Sequence, residues 1–143
     1  MRRVLGLEGA AFNAAIIGGM KLTKDTAGRD SKVIRAYAPG RVNVNDVLIT
    51  RSFIVAPDRL VEDWPPQRFE ELDAENLKAA LALEPEILII GTGKEQHFLS
   101  GELMAALSRG GIGVEVMDTA AACRTYNVLL SEDRKVVAAL LMI

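Results

Sequence analysis

The chain of 143 residues holds a single cysteine and a single histidine. One cysteine excludes an intrachain disulfide, and one histidine leaves too few ligands for the usual zinc sites. Aromatic residues make up only 5% of a chain that is 50% hydrophobic, so its core must be built mostly from Leu, Ile, Val and Ala. Neither sign of charge dominates. The 17 basic and 19 acidic residues leave a net charge of -2, without the basic footprint of a nucleic-acid binder. Long apolar runs are missing as well: the longest, Val136 to Ile143, falls far short of the ~20 residues that span a bilayer. What remains is an ordinary globular balance, with 25% charged residues and enough length for one domain with a sizeable core.

The first nineteen residues, MRRVLGLEGAAFNAAIIGG, read differently from the rest. Two arginines precede a mildly apolar stretch, faintly like a secretion signal, but Glu8 and Asn13 interrupt it and no small-x-small cleavage site follows. Residues 1–19 are therefore expected to be an N-terminal extension, flexible or upstream of a true start at Met20. Residues 20–143 are expected to form a single α/β domain.

Val33 to Tyr37 alternates apolar and polar residues, as a half-buried strand does. Pro39-Gly40 and Asn45-Asp46 mark turns, Val42 and Val44 alternate between them, and Val47 to Val55 reads as one longer strand. This part is an antiparallel meander. Pro57, Pro65 and Pro66 bracket DRLVEDW, which reads as an extended loop. From Asp73 the pattern changes to crossover units. Asp73 caps a helix over Ala74 to Leu83, Ile87 to Ile90 is a strand, and Ser100 opens a helix that Gly110-Gly111 ends. A strand from Val114 to Met117, a helix over Ala120 to Leu130 and a last strand over Lys135 to Met142 follow. Alternating strands and helices specify a layered α/β sheet. Ile87 to Ile90 and Val136 to Leu141 have no polar face and belong in its centre, whereas Glu115 puts its strand at an edge.

The stretch IGTGKEQHF resembles a phosphate-gripping loop but fails its tests. A P-loop needs Gly-Lys-Ser/Thr, and Gly93-Lys94 is followed by Glu95; its first glycine would fall at Leu88. A dinucleotide fingerprint needs a third glycine where Gln96 stands. Gly91 and Gly93 then serve to turn the chain off a buried strand. The loop nevertheless sits where ligands bind in such sheets, at the carboxyl ends of parallel strands, and it shares that address with Asp118 and the helix after it. Asp118, Thr119, Arg124, Thr125, Tyr126 and Asn127 make a dense polar set in an apolar chain. Capping by Asp118 and Thr119, packing of Cys123 and a salt bridge from Arg124 would account for it structurally. The functional reading is a ligand or partner pocket lined by Gly91, Thr92, Gly93, Asp118, Thr119, Arg124, Thr125, Tyr126 and Asn127. On that reading Arg124 faces the cleft beside Gly91 to Gly93, with Tyr126 packed partly under it. A thiol enzyme would instead pair Cys123 with His97, but no local signature supports the dyad, and a cysteine beside Ala120-Ala121-Ala122 reads as packed.

The stretches TRSFIVAPDRLVEDW, PEILIIGTG and GIGVEVMDTAAACRTYNVLLSEDRKVVAALL resemble a family of small bacterial, archaeal and mitochondrial proteins. Its mitochondrial member is the third assembly factor of NADH dehydrogenase (complex I), and most bacterial members are uncharacterised. The resemblance runs from about Met20 to the C-terminus, with Asp118 to Asn127 its most specific part. It implies a three-layer fold around a five-stranded mixed sheet, the last strand opposed to the others, and no established catalytic residues. The function expected is a non-enzymatic accessory or assembly factor, acting through protein partners such as membrane-complex subunits or other assembly factors. No cofactor, metal, nucleic acid or membrane span is expected, and the expected location is cytoplasmic or peripheral to the membrane. Two other classes stay open: a small-molecule binder using the Gly91 and Asp118 loops, and a thiol enzyme using Cys123 and His97.

Overall fold

A computed structural model describes residues 31–143, and Lys32–Ile143 form one compact unit. The expectation for residues 1–19 lies outside the described residues. The unit opens with three antiparallel strands in the order β1-β2-β3, formed by Ile34–Ala38 (β1), Arg41–Val44 (β2) and Val47–Ile49 (β3). Asn45 and Asp46 both take positive φ, 47° and 72°, the geometry of a tight two-residue hairpin turn. The expected meander is therefore present, with a register shift between Ile34 and Ala36 in β1.

The chain then enters a second sheet. Phe53–Ala56 (β4) and Arg59–Val61 (β5) form a hairpin, followed by a short 3-10 turn at Phe69–Glu71 and helix α1 at Ala74–Leu81. Strand β6 (Ile87–Gly91), helix α2 (Gly101–Leu107), strand β7 (Gly113–Met117), helix α3 (Thr119–Ser131) and strand β8 (Val136–Leu140) complete the unit. The five-stranded sheet has the order β5-β4-β8-β6-β7. The two strands without a polar face, β6 and β8, are interior, and β7 with Glu115 is an edge.

Period-two alternation builds two cores from one sheet. Phe53, Val55, Ile89, Val136, Ala138 and Leu140 face α3 and the meander. Ile54, Ala56, Leu88, Ile90, Val137 and Ala139 face α1 and α2. The result is the expected three layers: a helical layer, the sheet, and a layer of α3 with the meander. Each expected helix cap is made. Asp73 accepts from Asn76 N–H at 2.8 Å, Ser100 from Leu103 N–H at 3.1 Å, and Asp118 from Ala121 N–H at 2.9 Å.

Three expectations change. Val47 to Val55 is two strands in two sheets, broken at Thr50–Ser52, where buried Ser52 meets the Gln67 side chain instead of a neighbouring strand. DRLVEDW is not all loop, since Arg59–Val61 pairs with β4. The last strand does not oppose the others: β8 runs parallel to β6, because a helical crossover returns the chain to the end where β7 began. The strand that runs against β8 is β4. Among the described residues, no helix is long and apolar enough to cross a membrane.

Candidate functional site

Strand β6 leads to α2 on one face of the sheet, and β7 leads to α3 on the other. Loops that leave adjacent parallel strands toward opposite faces open a crevice, the usual ligand address of such sheets. In this chain the crevice is stitched shut. Thr92 N–H donates to Met117 C=O at 2.9 Å, and Thr119 N–H donates to Gly93 C=O at 2.9 Å. The fully buried Thr119 hydroxyl accepts from Gly93 N–H at 2.8 Å and donates to Leu141 C=O. One side chain thus ties together the ends of β6 and β8 at the first turn of α3. The Thr92 hydroxyl donates to Glu95 C=O at 2.7 Å and accepts from His97 N–H at 3.2 Å, which fixes the course of the loop.

The two glycines have different tasks. Gly93, at φ +99°, makes the turn foreseen for it. Gly91 is the last residue of β6, and its missing side chain admits α3. A Cβ there would lie 2.8 Å from Leu140 Cδ2, 2.9 Å from the Thr119 hydroxyl and 3.1 Å from Thr119 Cα.

The rest of the polar set faces elsewhere. Asp118 caps α3. Arg124 donates to the Tyr37 hydroxyl at 2.8 Å, so it reaches to β1 rather than over Gly91 to Gly93. That hydrogen bond holds the guanidinium above its ordinary pKa, with the Asp118 carboxylate adding to the effect. Tyr126 is wholly buried instead of partly, and its hydroxyl donates to Lys32 C=O at 2.7 Å. Asn127 uses both ends of its amide on one residue: Nδ2 donates to Ile34 C=O at 2.7 Å, and Oδ1 accepts from Ile34 N–H at 3.1 Å. It occupies the place of a neighbouring strand just where the β1 register shifts. Thr125 is half-buried on the same helix. Arg124, Tyr126 and Asn127 thus fasten the meander to α3, a role hidden from a reading of the local sequence because their partners lie 87 to 94 residues away.

The comparison with known families bears on this pattern. Residues 34–141 match the model of a family described as protein of unknown function (DUF498/DUF598). The chain belongs to that family. Among curated proteins, the DUF498/DUF598 chain is similar to the NADH dehydrogenase [ubiquinone] 1 alpha subcomplex assembly factor 3 of Danio rerio. The two are 36% identical over 111 residues, covering 76% of this chain and 63% of the relative. The chain therefore spans less than two thirds of that relative's length. Among solved structures it is similar to a protein from Bordetella parapertussis, with a TM-score of 0.75 and 43% identity over 79% of this chain and 97% of the other. A Bordetella pertussis protein described as an Mth938-like domain follows at a TM-score of 0.73 and 36% identity, covering 86% and 92%. The DUF498/DUF598 match begins at the residue that Asn127 holds and ends at the one that Thr119 holds, so it contains both the docked meander and the closed crevice.

Within the DUF498/DUF598 fold, Cys123 and His97 lie on opposite sides of the sheet. Cys123 is buried among the residues facing the meander, whereas the His97 ring stacks on Phe69, 4.6 Å between centroids, on the side of α1 and α2. Burial pushes the Cys123 thiol from an ordinary 9.0 to about 12, against a small opposing effect of Arg124. A thiol so held is protonated at neutral pH and packs as a small apolar group. Among the described residues, no group of three or more His, Cys, Asp or Glu side chains could hold a metal ion.

The raised thiol pKa has a measurable consequence. Between pH 9 and 12 the unfolded chain releases a proton that the folded protein keeps. Stability is therefore whole below pH 9 and falls as pH rises, by about 1.4 kcal/mol per unit from this group. Tyr126, whose hydroxyl burial also pushes upward from 10.0, adds a loss of the same sign at higher pH. Cys123→Ala should cost on the order of 1 kcal/mol near neutrality, yet decline less steeply than wild type between pH 9 and 10. Urea midpoints across that range measure both, and parallel curves would show that the thiol is not protected.

Proposed function

We propose that this chain is a non-enzymatic accessory factor that works through protein contacts in the biogenesis of a membrane complex. The observation that carries the proposal is the closed crevice. At the address where a ligand-binding relative of this architecture would present open amides, Thr92, Gly93 and Thr119 N–H are bonded to the protein itself. The Danio rerio relative bears the name of an assembly factor of NADH dehydrogenase, which supports the same reading. Large apolar side chains do face solvent: Phe98 at 83%, Leu48 at 60% and Val128 at 54% exposure. Contact surfaces then lie on the outside of the fold, and the Asp118–Asn127 motif supports them by holding the two sheets together.

Affinity purification from the native cell, with membranes gently solubilised, tests the proposal. Subunits of a membrane complex or its other assembly proteins should co-purify in stoichiometric amounts. Recovery of the chain without any protein partner, or with a tightly held small molecule, would count against it.

A further inference from the structure

Phe98 is the most exposed large apolar residue described, at 83%. Its neighbours do the opposite. The His97 ring stacks on Phe69 with an interplanar angle of 19°, and Leu99 packs with Leu103 and Phe69 onto the core beneath α1 and α2. A phenylalanine on a loose loop would fold back onto that same apolar surface. This loop is tied. Thr92 holds Glu95 C=O and His97 N–H, the Gln96 amide reaches Val116 C=O on the edge strand at 3.4 Å, and Ser100 caps α2 immediately beyond. The ring is therefore held outward before any partner arrives, which removes much of the ordering cost of association.

The charges around it are one-sided. Glu95 precedes Phe98 by three residues, Glu102 follows by four in the first turn of α2, and Glu70 is the sequence neighbour of Phe69, on whose ring His97 stacks. None of the three makes a salt bridge among the described residues, and Arg68 is occupied by Glu71 at 3.5 Å. Lys94 alone opposes them within residues 94–102. Such a rim repels anionic lipid headgroups and attracts cationic side chains.

We propose that residues 94–99 form the docking surface for a partner protein, with the Phe98 ring entering an apolar pocket rimmed by lysine or arginine. The proposal rests on the reading that this chain works by protein contacts, and it supplies the chemistry of the contact. Aromatic anchors in central pockets dominate interface energetics, and complementary charge at the rim sets the rate and choice of partner.

The test places a photoreactive benzoylphenylalanine at position 98 of the full chain in its native cell, with the same group at position 128 as control. The adduct at 98 should map to a protein segment in which apolar residues are flanked by Lys or Arg. Its yield should fall about tenfold when Glu70, Glu95 and Glu102 are all changed to Gln, and Phe98→Ala should lower the co-purified partner about thirtyfold. All four positions are exposed, and thermal melts should confirm that the variants fold as wild type does. Adducts with lipid, adducts with an acidic segment, equal yield from position 128, or undiminished partner with Phe98→Ala would each overturn the proposal. If the wild-type chain recovers a partner and Phe98→Ala recovers it equally, only this surface is wrong. If wild type recovers none, the contact reading itself fails.

Discussion

Gly91→Ala should destabilise the protein by about 3 kcal/mol, near the top of the usual range for overpacking a core. The new methyl would meet Leu140 Cδ2 at 2.8 Å and the Thr119 backbone at 3.1 Å. Leu140 cannot swing aside, because it is fully buried between α3 and the meander. Relief has to come from lifting the start of α3 off β6, which pulls the Thr119 hydroxyl away from Gly93 and Leu141. At roughly 4 °C per kcal/mol for a chain of this size, the melting temperature should drop by about 10 °C or more. Gly101→Ala is the matched control. Nothing lies within 4 Å of a Cβ there, and the residue opens α2 behind the Ser100 cap, so stability should stay within about 1 kcal/mol of wild type or rise. Equal melting temperatures for the two variants would show that α3 does not press on the strand end.

Thr119→Val should cost about 2–6 kcal/mol while changing the shape of the site hardly at all. Valine fills the same volume but leaves Gly93 N–H and Leu141 C=O buried without a partner, at about 1–3 kcal/mol each. Thr119→Ser keeps the hydroxyl and discards a methyl, which should cost only about 1 kcal/mol. Urea unfolding ranks the two, and amide exchange at Gly93 should accelerate in the valine variant alone. A valine variant as stable as the serine variant would refute the claim that the hydroxyl ties the sheet together.

Much of this architecture could be read from residue patterns because burial leaves a local trace. Strands β6 and β8 are apolar on both faces and lie inside the sheet, and Glu115 marks an edge. Asp73, Ser100 and Asp118 cap the helices expected of them. The break at Thr50–Ser52 left no such trace. Ile49 and Phe53 pack in one core, and residues four apart would share a face in an unbroken strand too, so alternation runs straight through the change of sheet. Strand β5 was hidden between prolines, since its evidence is the hairpin pairing of Ile54 with Val61 rather than its own composition.

The polar set was legible as unusual and illegible in its purpose. An asparagine in a helix interior signals a demand for a partner. Nothing near it in the chain names Ile34, and the same holds for Arg124 with Tyr37. The closed crevice was equally hidden, because glycines and threonines at a strand end suit an open anion cradle as well as a sealed joint. Only the pairing of Gly93 N–H with Thr119 separates the two.

The attachment of β1 to α3 also dictates an order of events during synthesis. Ile34 is held by Asn127, 93 residues later, and the inner face of the meander, with Val42, Val44 and Ile49, packs in one core with α3 and the five-stranded sheet. The hairpin turns of the meander are local and form as soon as they leave the ribosome. Their docking helix arrives only after those 93 residues have been added, about 5–20 s later at ordinary elongation rates. For that interval the nascent chain carries an uncovered apolar sheet with open edges, the kind of surface that chaperones and misplaced strands both seek. The polar fastening from α3 closes that exposure only once α3 itself has been made.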